Sequence, residues 1–306
     1  MSLSRFNSSH ASAAALWMVL SGMAFAAINV ITPSISEFAP TFDSSWIAFY
    51  QYFFAFLLLL PSLLKHGFTQ VFATEHFMTH FWRIVIAVIG IQFWVKALTL
   101  NFPIGEGVAL LMTSPLFASL GAILLLKEKA SKLRVIATFT GFLGALIILE
   151  PKLQNFSVIA VFPLLAAFCW AMHSVLLKFL SNKDNATTMV AYMYLLMIPI
   201  NFAIASFTDF GAIAQPFRQG QSQLLLSLIL LALLTCIGQY AIAKAYALAD
   251  ALFTQPFDYL KLPLNVLLGY LFFGWGVSWQ FWLGAVMMVL SLLAISYYEG
   301  RAGQAR

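Results

Sequence analysis

Asp258 and Lys261 are two charged residues three positions apart within the apolar stretch 251–273, which is long enough to cross a bilayer. Their spacing places both side chains on one face of a helix. A charge at the centre of a membrane costs about 2.5–3.5 kcal/mol on insertion scales, so an apolar pair would be easier to insert. We expect the two residues to bind opposite charges on a substrate, or to hold a proton. A permanent structural ion pair is the alternative.

Four further charged residues lie at the ends of apolar stretches. Lys96 and Glu106 flank one short break in the sequence, and Lys244 and Asp250 flank another. Each break is short enough to predict a tight hairpin between two membrane spans. The charges are interpreted either as clamps near the membrane surface or as gates that open alternately. Glu106, in the first turn of its span, is also a candidate for substrate or proton binding.

The remaining candidate ligands are a histidine, several amides and several aromatic rings. His173 lies within an apolar span, where it is either a hydrogen-bonded core residue or a proton site, because small shifts move a histidine pKa through the physiological range. Amides and aromatic rings would line a cavity for a planar or cationic substrate, and simple packing is the alternative for the rings. These residues are Asn29, Gln92, Gln239, Trp94, Trp170 and Tyr259.

The sequence carries no enzyme signature. It contains no metal-binding spacing of His and Cys, no glycine-rich phosphate loop and no nucleophile motif. Cys169 and Cys236 lie in apolar stretches, where small packing residues are expected and a disulfide is not. We therefore predict a protein that is not an enzyme and that binds neither a cofactor nor a metal.

The composition indicates that lipid is the solvent of this chain. Of 306 residues, 62% are hydrophobic and 9% are charged, against about 25% charged residues in a soluble domain. The net charge of +5 is typical of basic cytoplasmic loops and gives no indication of nucleic-acid binding. The lipid bilayer is therefore an expected partner, and nucleic acid is not.

Ten segments are apolar and long enough to be membrane spans. Their bounds are 14–32, 44–64, 82–99, 105–126, 132–149, 157–179, 187–207, 224–243, 251–273 and 279–298. With a cytoplasmic N-terminus, twelve of the 16 Lys and Arg residues lie on the cytoplasmic side, three lie outside, and Lys261 lies within a span. The ends, 1–13 and 299–306, are predicted to be short cytoplasmic tails of a multi-pass inner-membrane protein.

Residues 92–149 and 240–297 repeat one pattern at a shift of 148 positions. The repeat aligns Pro115 with Pro263, in the fourth and ninth spans. Because proline removes a hydrogen bond from a helix interior, both spans are predicted to be kinked, and the two prolines are candidate hinges for gating.

The repeat also predicts the architecture. Two halves, 14–149 and 157–298, contain five spans each, and five is an odd number, so the second half must enter the membrane inverted. Lys96 then lies at the outer face and its counterpart Lys244 at the inner face. The predicted fold is an all-α polytopic membrane protein whose ten transmembrane helices form two inverted five-helix repeats.

Several of these features resemble the drug/metabolite transporter superfamily, with each half similar to an EamA-type domain. They are the five-plus-five arrangement, the basic loop 127–134 and the unit Pro-Leu-x-x-x-x-x-Gly, which occurs at 115–121 and 263–269. The stretch 255–263 resembles the ninth span of the branch that holds riboflavin and S-adenosylmethionine carriers. One departure is the loop 274–276, where many relatives have a glutamate.

The resemblance implies that spans 1–4 and 6–9 surround a central cavity, while spans 5 and 10 are peripheral and could form a homodimer contact. The predicted function is secondary transport of a small organic metabolite, such as an amino acid, a vitamin or a nucleoside-like compound, by alternating access. Proton coupling through Glu106 or His173 is left open. A non-transporting sensor or scaffold on the same fold is the alternative function.

Overall fold

The computed structural model of the chain describes residues 8–100, 104–149, 158–208, 210–218, 220–274 and 278–302. All regular secondary structure in these residues is helical. The α-helices are α1 Ser8–Phe38, α2 Ser44–His66, α3 Phe68–Val71, α4 Phe77–Thr99, α5 Ile104–Leu111, α6 Ser114–Leu124, α7 Lys132–Leu149, α8 Val161–Ser181, α9 Ala186–Ser206, α10 Ser222–Leu248, α11 Ala251–Thr254, α12 Lys261–Phe273 and α13 Trp279–Ala302. Three 3₁₀ segments accompany them: Val158–Ala160, Phe210–Phe217 and Gln255–Leu260.

Seven of these helices are long and apolar enough to cross a membrane, which identifies a multi-pass membrane protein. They are α1, α2, α4, α7, α8, α9 and α10. Two of the ten predicted spans, the fourth and the ninth, are each divided into shorter helices. In the tenth, the apolar part of α13 found in the described residues, Trp279–Ala294, is short. The count of ten spans therefore stays a prediction.

The helices of the two halves pack against each other reciprocally. The first helix of one half, α1, packs along α10, the third spanning helix of the other half, and α8 packs along α4 in the same way. The second helices, α2 and α9, contact each other, and so do the fifth, α7 and α13. A two-fold relation between the halves requires this exchange of partners. That the halves are inverted relative to the membrane stays a prediction.

The contact between α7 and α13 depends on two glycines that bring the backbones together. A Cβ atom on Gly284 would lie 2.5 Å from the carbonyl oxygen of Gly144 and 2.6 Å from Cγ1 of Ile148. A Cβ atom on Gly144 would lie 2.9 Å from the carbonyl oxygen of Gly284. Small residues permit such close approach of helices in membranes. The outer faces of these helices are apolar and exposed, and the predicted homodimer contact there stays a prediction.

The connection between α2 and α4 is attached to the beginning of α9. Asn185 caps α9, its side chain accepting a hydrogen bond from the Thr188 amide at 2.9 Å. The Thr188 hydroxyl donates to the carbonyl of Val71, and the Tyr192 hydroxyl donates to the carbonyl of Phe72. Because these bonds satisfy the carbonyl groups at the end of α3, the short helix is held against α9.

Candidate functional site

Each half contains one span that is interrupted near its middle. In the first half, α5 and α6 are separated by a turn at Met112 and Thr113, and Pro115 lies in the first turn of α6. In the second half, α11 and α12 are separated by the 3₁₀ segment Gln255–Leu260, and Pro263 lies in the first turn of α12. The two repeated prolines therefore follow equivalent interruptions.

The structure places an irregular helical stretch before each proline, and the predicted kinks and hinge role of the two prolines stay predictions. Before Pro115 the Thr113 amide donates to the Leu110 carbonyl, and the 3₁₀ segment before Pro263 continues directly into α12. Irregular stretches within helices at membrane depth commonly mark the binding site of a carrier.

The predicted pair of charges lies at the second interruption. Asp258 belongs to the 3₁₀ segment and Lys261 begins α12. Oδ1 of Asp258 is 2.7 Å from Nζ of Lys261, at an angle outside regular hydrogen-bond geometry, so the contact is an ion pair. The side chains are 19% and 30% exposed, respectively. Both side chains are therefore partly accessible, although Oδ1 of Asp258 is itself buried.

Helix α1 supplies the opposite wall of this site. The ring centroid of Phe25 lies 5.2 Å from Nζ of Lys261, a cation–π contact. One turn further along α1, Nδ2 of Asn29 donates to Oδ1 of Asn265 in α12 at 3.2 Å. The ion pair, the aromatic ring and the two amides form what we call the α1–α12 site. Asn29 was predicted from the sequence, whereas Phe25 and Asn265 were not.

Tyr259 is adjacent to the ion pair in sequence but packs elsewhere. Its ring lies against Gly141 of α7, where a Cβ atom would collide with it, and in a buried cluster with Ala145 and Met288. Its hydroxyl is buried and has no hydrogen-bond partner among the described residues. The structure therefore places Tyr259 in the contact between the 3₁₀ segment, α7 and α13, away from Phe25.

His173 lies in the contact between α8 and α4, where Nδ1 is 3.2 Å from the carbonyl oxygen of Arg83. Trp170, one turn earlier, packs on Gly90 of α4 and shares an apolar cluster with Trp94. These three predicted ligands thus belong to one interface, and the structure does not bring them to the α1–α12 site.

Four other predicted residues have few described contacts. Gln92 is exposed on α4, and Gln239 is half-buried on α10. Lys96 is exposed in the last turn of α4. Glu106 lies in the first turn of α5, but its side chain is outside the described residues, and so is the expected Lys96–Glu106 contact.

The second expected hairpin is present between α10 and α11, but its charges have different partners. Asp250 pairs with Arg134 of α7, whose Nη1 lies 3.1 Å from Oδ2. Lys244 lies with Nζ 5.4 Å from the ring centroid of Tyr240, in the wall of a cavity. Asp250 therefore contacts the other half of the molecule rather than Lys244, and the gating role of these residues stays a prediction.

A group of charged residues that we call the hairpin network holds the turn between α10 and α11. Glu128 accepts hydrogen bonds from the amides of Ala251 and Leu252 at 3.0 and 2.9 Å. Nζ of Lys178 donates to the carbonyls of Tyr246 and Ala249 at 2.8 and 2.7 Å. Glu128 and Lys178 thus satisfy backbone groups at the start of α11 and the end of α10, and the Arg134–Asp250 ion pair connects α7 to the same turn.

Burial raises the pKa of the Glu128 carboxyl, against the opposing effect of its two backbone hydrogen bonds. The sequence indicated this residue only as part of a basic loop. The one feature that could have identified Glu128 is that it is an acidic residue in an otherwise basic segment. Its partners are backbone amides, which the sequence does not reveal.

Replacing Glu128 with alanine is expected to destabilise the protein by about 1 kcal/mol, the usual cost of losing a helix cap, because two amides at the start of α11 lose their acceptor. Thermal unfolding of the purified protein in detergent measures this loss. Lys129→Ala is the matched control, since Lys129 is the exposed neighbour in the same loop. Equal unfolding temperatures for the two variants would contradict the capping role.

Comparison with known proteins identifies two copies of one domain in the chain. The EamA-like transporter family matches residues 12–150 and again residues 157–297. Because the two matches together cover most of the chain, the resemblance found in the sequence is confirmed.

Curated relatives cover nearly the whole chain. A riboflavin transporter of Vibrio cholerae is 45% identical over 288 residues, which are 93% of each chain. A riboflavin transporter of Rhizobium johnstonii is 40% identical over 96% of this chain and 94% of its own. An S-adenosylmethionine uptake transporter of Rickettsia felis is 27% identical over 94% of this chain and 93% of its own.

A solved crystal structure of another protein shares the fold. It superposes with a TM-score of 0.76 over 95% of this chain and 99% of its own, at 15% identity. The two matched domains and the relatives show a membrane transporter of small metabolites that is not an enzyme. The chain belongs to the EamA-like transporter family.

Proposed function

We propose that this chain carries riboflavin across the inner membrane by alternating access, with both termini in the cytoplasm. The observation that carries the proposal is the partly exposed Asp258–Lys261 ion pair at an interrupted span. The identity of the substrate rests on the relatives named riboflavin transporters, which are 40–45% identical to this chain.

The α1–α12 site has groups that suit a flavin. Riboflavin is neutral and planar, with an imide edge that both donates and accepts hydrogen bonds, and with a hydroxylated side chain. The Phe25 ring can pack on the flavin plane, and the Asn29 and Asn265 amides can match the imide edge. Asp258 would accept hydrogen bonds from hydroxyl groups, and Lys261 would donate to a carbonyl. A carboxylate and an ammonium can do this without a charged substrate.

S-adenosylmethionine is the second candidate substrate, because more distant relatives carry that name. Its sulfonium is a cation, which an aromatic ring commonly binds. In this chain the ammonium of Lys261 already lies 5.2 Å from the Phe25 ring centroid, and a second cation there would be repelled. The site geometry therefore favours a neutral substrate.

For the mechanism, we propose that one half rocks against the other around the α1–α12 site. The reciprocal packing of the halves supports this, since equivalent contacts can be exchanged when the cavity closes on one side and opens on the other. Two residues were candidates for proton coupling. The Nδ1 of His173 lies against the Arg83 carbonyl in the α4–α8 contact, which favours a structural role for that side chain. Glu106, in the first turn of α5, is therefore the proposed proton-coupling residue.

Uptake of labelled riboflavin by proteoliposomes tests the function. We expect saturable uptake above that of empty vesicles, reduced by excess unlabelled riboflavin and not by S-adenosylmethionine. An acidic exterior should accelerate uptake by the wild type but not by Glu106→Gln. Accumulation of S-adenosylmethionine alone would support the second candidate. Absence of uptake for both, with folded protein, would favour the sensor or scaffold alternative.

A further inference from the structure

A cavity of about 700 Å³ lies on one side of the molecule, apart from the α1–α12 site. We call it the lateral groove. Its walls are successive turns of α2, α9 and α10, and the short helix α3 closes one end. The lining residues include Leu58, Ser62, Gln70, Asn185, Leu233 and Lys244. The groove shares no residue with the ion pair, Phe25 or the two asparagines.

The apolar part of the lateral groove is exposed. Leu58, Leu233 and Ile237 line it and are 44%, 46% and 36% exposed. Leu233 and Ile237 lie near the middle of α10, at a depth where an exposed side chain of a membrane protein meets acyl chains. The groove can therefore be entered sideways from the bilayer.

The polar lining of the groove is confined to the other end. Ser62 lies in the last two turns of α2, Lys244 in the last two turns of α10, and Asn185 at the cap of α9. Gln70 of α3 closes this end. The groove is thus apolar near the middle of the helices and polar where the helices end. This distribution matches an amphiphilic ligand, which has an apolar chain and a polar head.

The single charge lining the groove is Lys244. Its Nζ lies over the Tyr240 ring, and among the described residues no carboxylate is within ion-pair distance of it. An ammonium near the membrane surface attracts an anionic headgroup, while its own methylene groups pack along apolar surface. Charge complementarity therefore favours an anionic ligand at the polar end.

We propose that the lateral groove binds one anionic phospholipid. Lys244 contacts the headgroup phosphate, Ser62, Gln70 and Asn185 provide hydrogen-bonding groups around it, and an acyl chain lies along Leu58, Leu233 and Ile237. Occupancy of this site would couple the packing of α2, α9 and α10 to the lipid composition of the membrane. The proposal concerns lipid binding and holds whatever substrate the protein carries.

Native mass spectrometry of the purified, delipidated full-length chain tests this proposal. Phosphatidylglycerol and phosphatidylcholine are added separately, and the dissociation constant of the first bound lipid is measured. We expect phosphatidylglycerol to bind about fivefold more tightly than phosphatidylcholine. This factor corresponds to the attraction of about 1 kcal/mol between one lysine and an anionic headgroup. Lys244→Gln should abolish the preference and Lys244→Arg should retain it. Lys183→Gln is the matched control, because Lys183 is exposed nearby but does not line the groove.

A second variant tests the place of the acyl chain. Leu233→Trp fills the apolar part of the groove and should weaken the binding of both lipids. A preference that survives Lys244→Gln, or no preference in the wild type, would overturn the proposal. Displacement of phosphatidylglycerol by riboflavin would also overturn it, since the groove would then be part of the substrate path.

Discussion

Asp258→Asn and Lys261→Met should each reduce transport roughly 30-fold or more. Removing one member of a partly buried charge pair costs about 2 kcal/mol, largely because the other charge is left without a partner. Here the pair also faces Phe25 and the Asn29–Asn265 amides, so the same charges are proposed to contact the substrate. Initial uptake rates in proteoliposomes, normalised to reconstituted protein, measure the loss.

The double variant Asp258→Asn with Lys261→Met separates a structural role from a substrate role. Both side chains become neutral, so no unpaired charge remains and the unfolding temperature should return towards that of the wild type. Transport should stay low if the charges serve the substrate. Recovery of both stability and transport would show that the pair only holds α12 in place.

Gly284→Val is expected to have the largest effect on stability, a loss of about 3 kcal/mol or more, which lies at the upper end of the cost of overpacking. The new Cβ would lie 2.5 Å from the Gly144 carbonyl oxygen and 2.6 Å from a carbon of Ile148. The first of these is a backbone atom, which cannot move aside as a flexible side chain can. The helices α13 and α7 would have to separate.

The unfolding temperature of the purified protein in detergent measures this effect. Val286→Leu is the matched control, since Val286 lies two residues further along α13 and is 52% exposed. It should unfold as the wild type does. If Gly284→Val unfolds at the same temperature as the control, the close approach of α7 and α13 is not required for the fold.

The sequence predicted where the fourth and ninth spans are irregular, but not which local backbone structure they adopt there. The aligned prolines, Pro115 and Pro263, indicated equivalent irregular points in both halves, and interruptions are found at both. Whether a helix bends or breaks there depends on the residues before the proline. Thr113, whose hydroxyl donates to the Leu110 carbonyl, and the 3₁₀ segment before α12 satisfy backbone groups that a helix would otherwise pair.

Within the α1–α12 site, the sequence predicted the charged residues near the start of α12 better than their partners on α1. The spacing of Asp258 and Lys261 placed them on one face, and the structure pairs them. Phe25 is one of 30 phenylalanines, and its sequence surroundings do not distinguish it. Its role depends on how α1 packs against α12, which is a tertiary contact. Asn265, four residues after Lys261, could have been found from the same helical periodicity.

Charges near helix ends were the least predictable. In the sequence Lys178 is one of many basic residues near span ends, yet in the structure it donates to the last carbonyls of α10. The sequence favours a contact between Asp250 and its hairpin neighbour Lys244, but Asp250 contacts Arg134 of the other half. Proximity in the sequence suggests Lys244 as the partner, whereas the packing of α7 beside the hairpin brings Arg134 to Asp250.

Flavin fluorescence tests the central claim, that riboflavin binds between α1 and α12, most directly. Riboflavin is titrated with purified wild-type protein and with the stable Asp258→Asn, Lys261→Met double variant. Packing on Phe25 should quench the fluorescence of one riboflavin for each wild-type chain, and the double variant should bind at least tenfold more weakly. Equal affinity in both proteins would contradict the claim that the Asp258–Lys261 pair contacts the substrate.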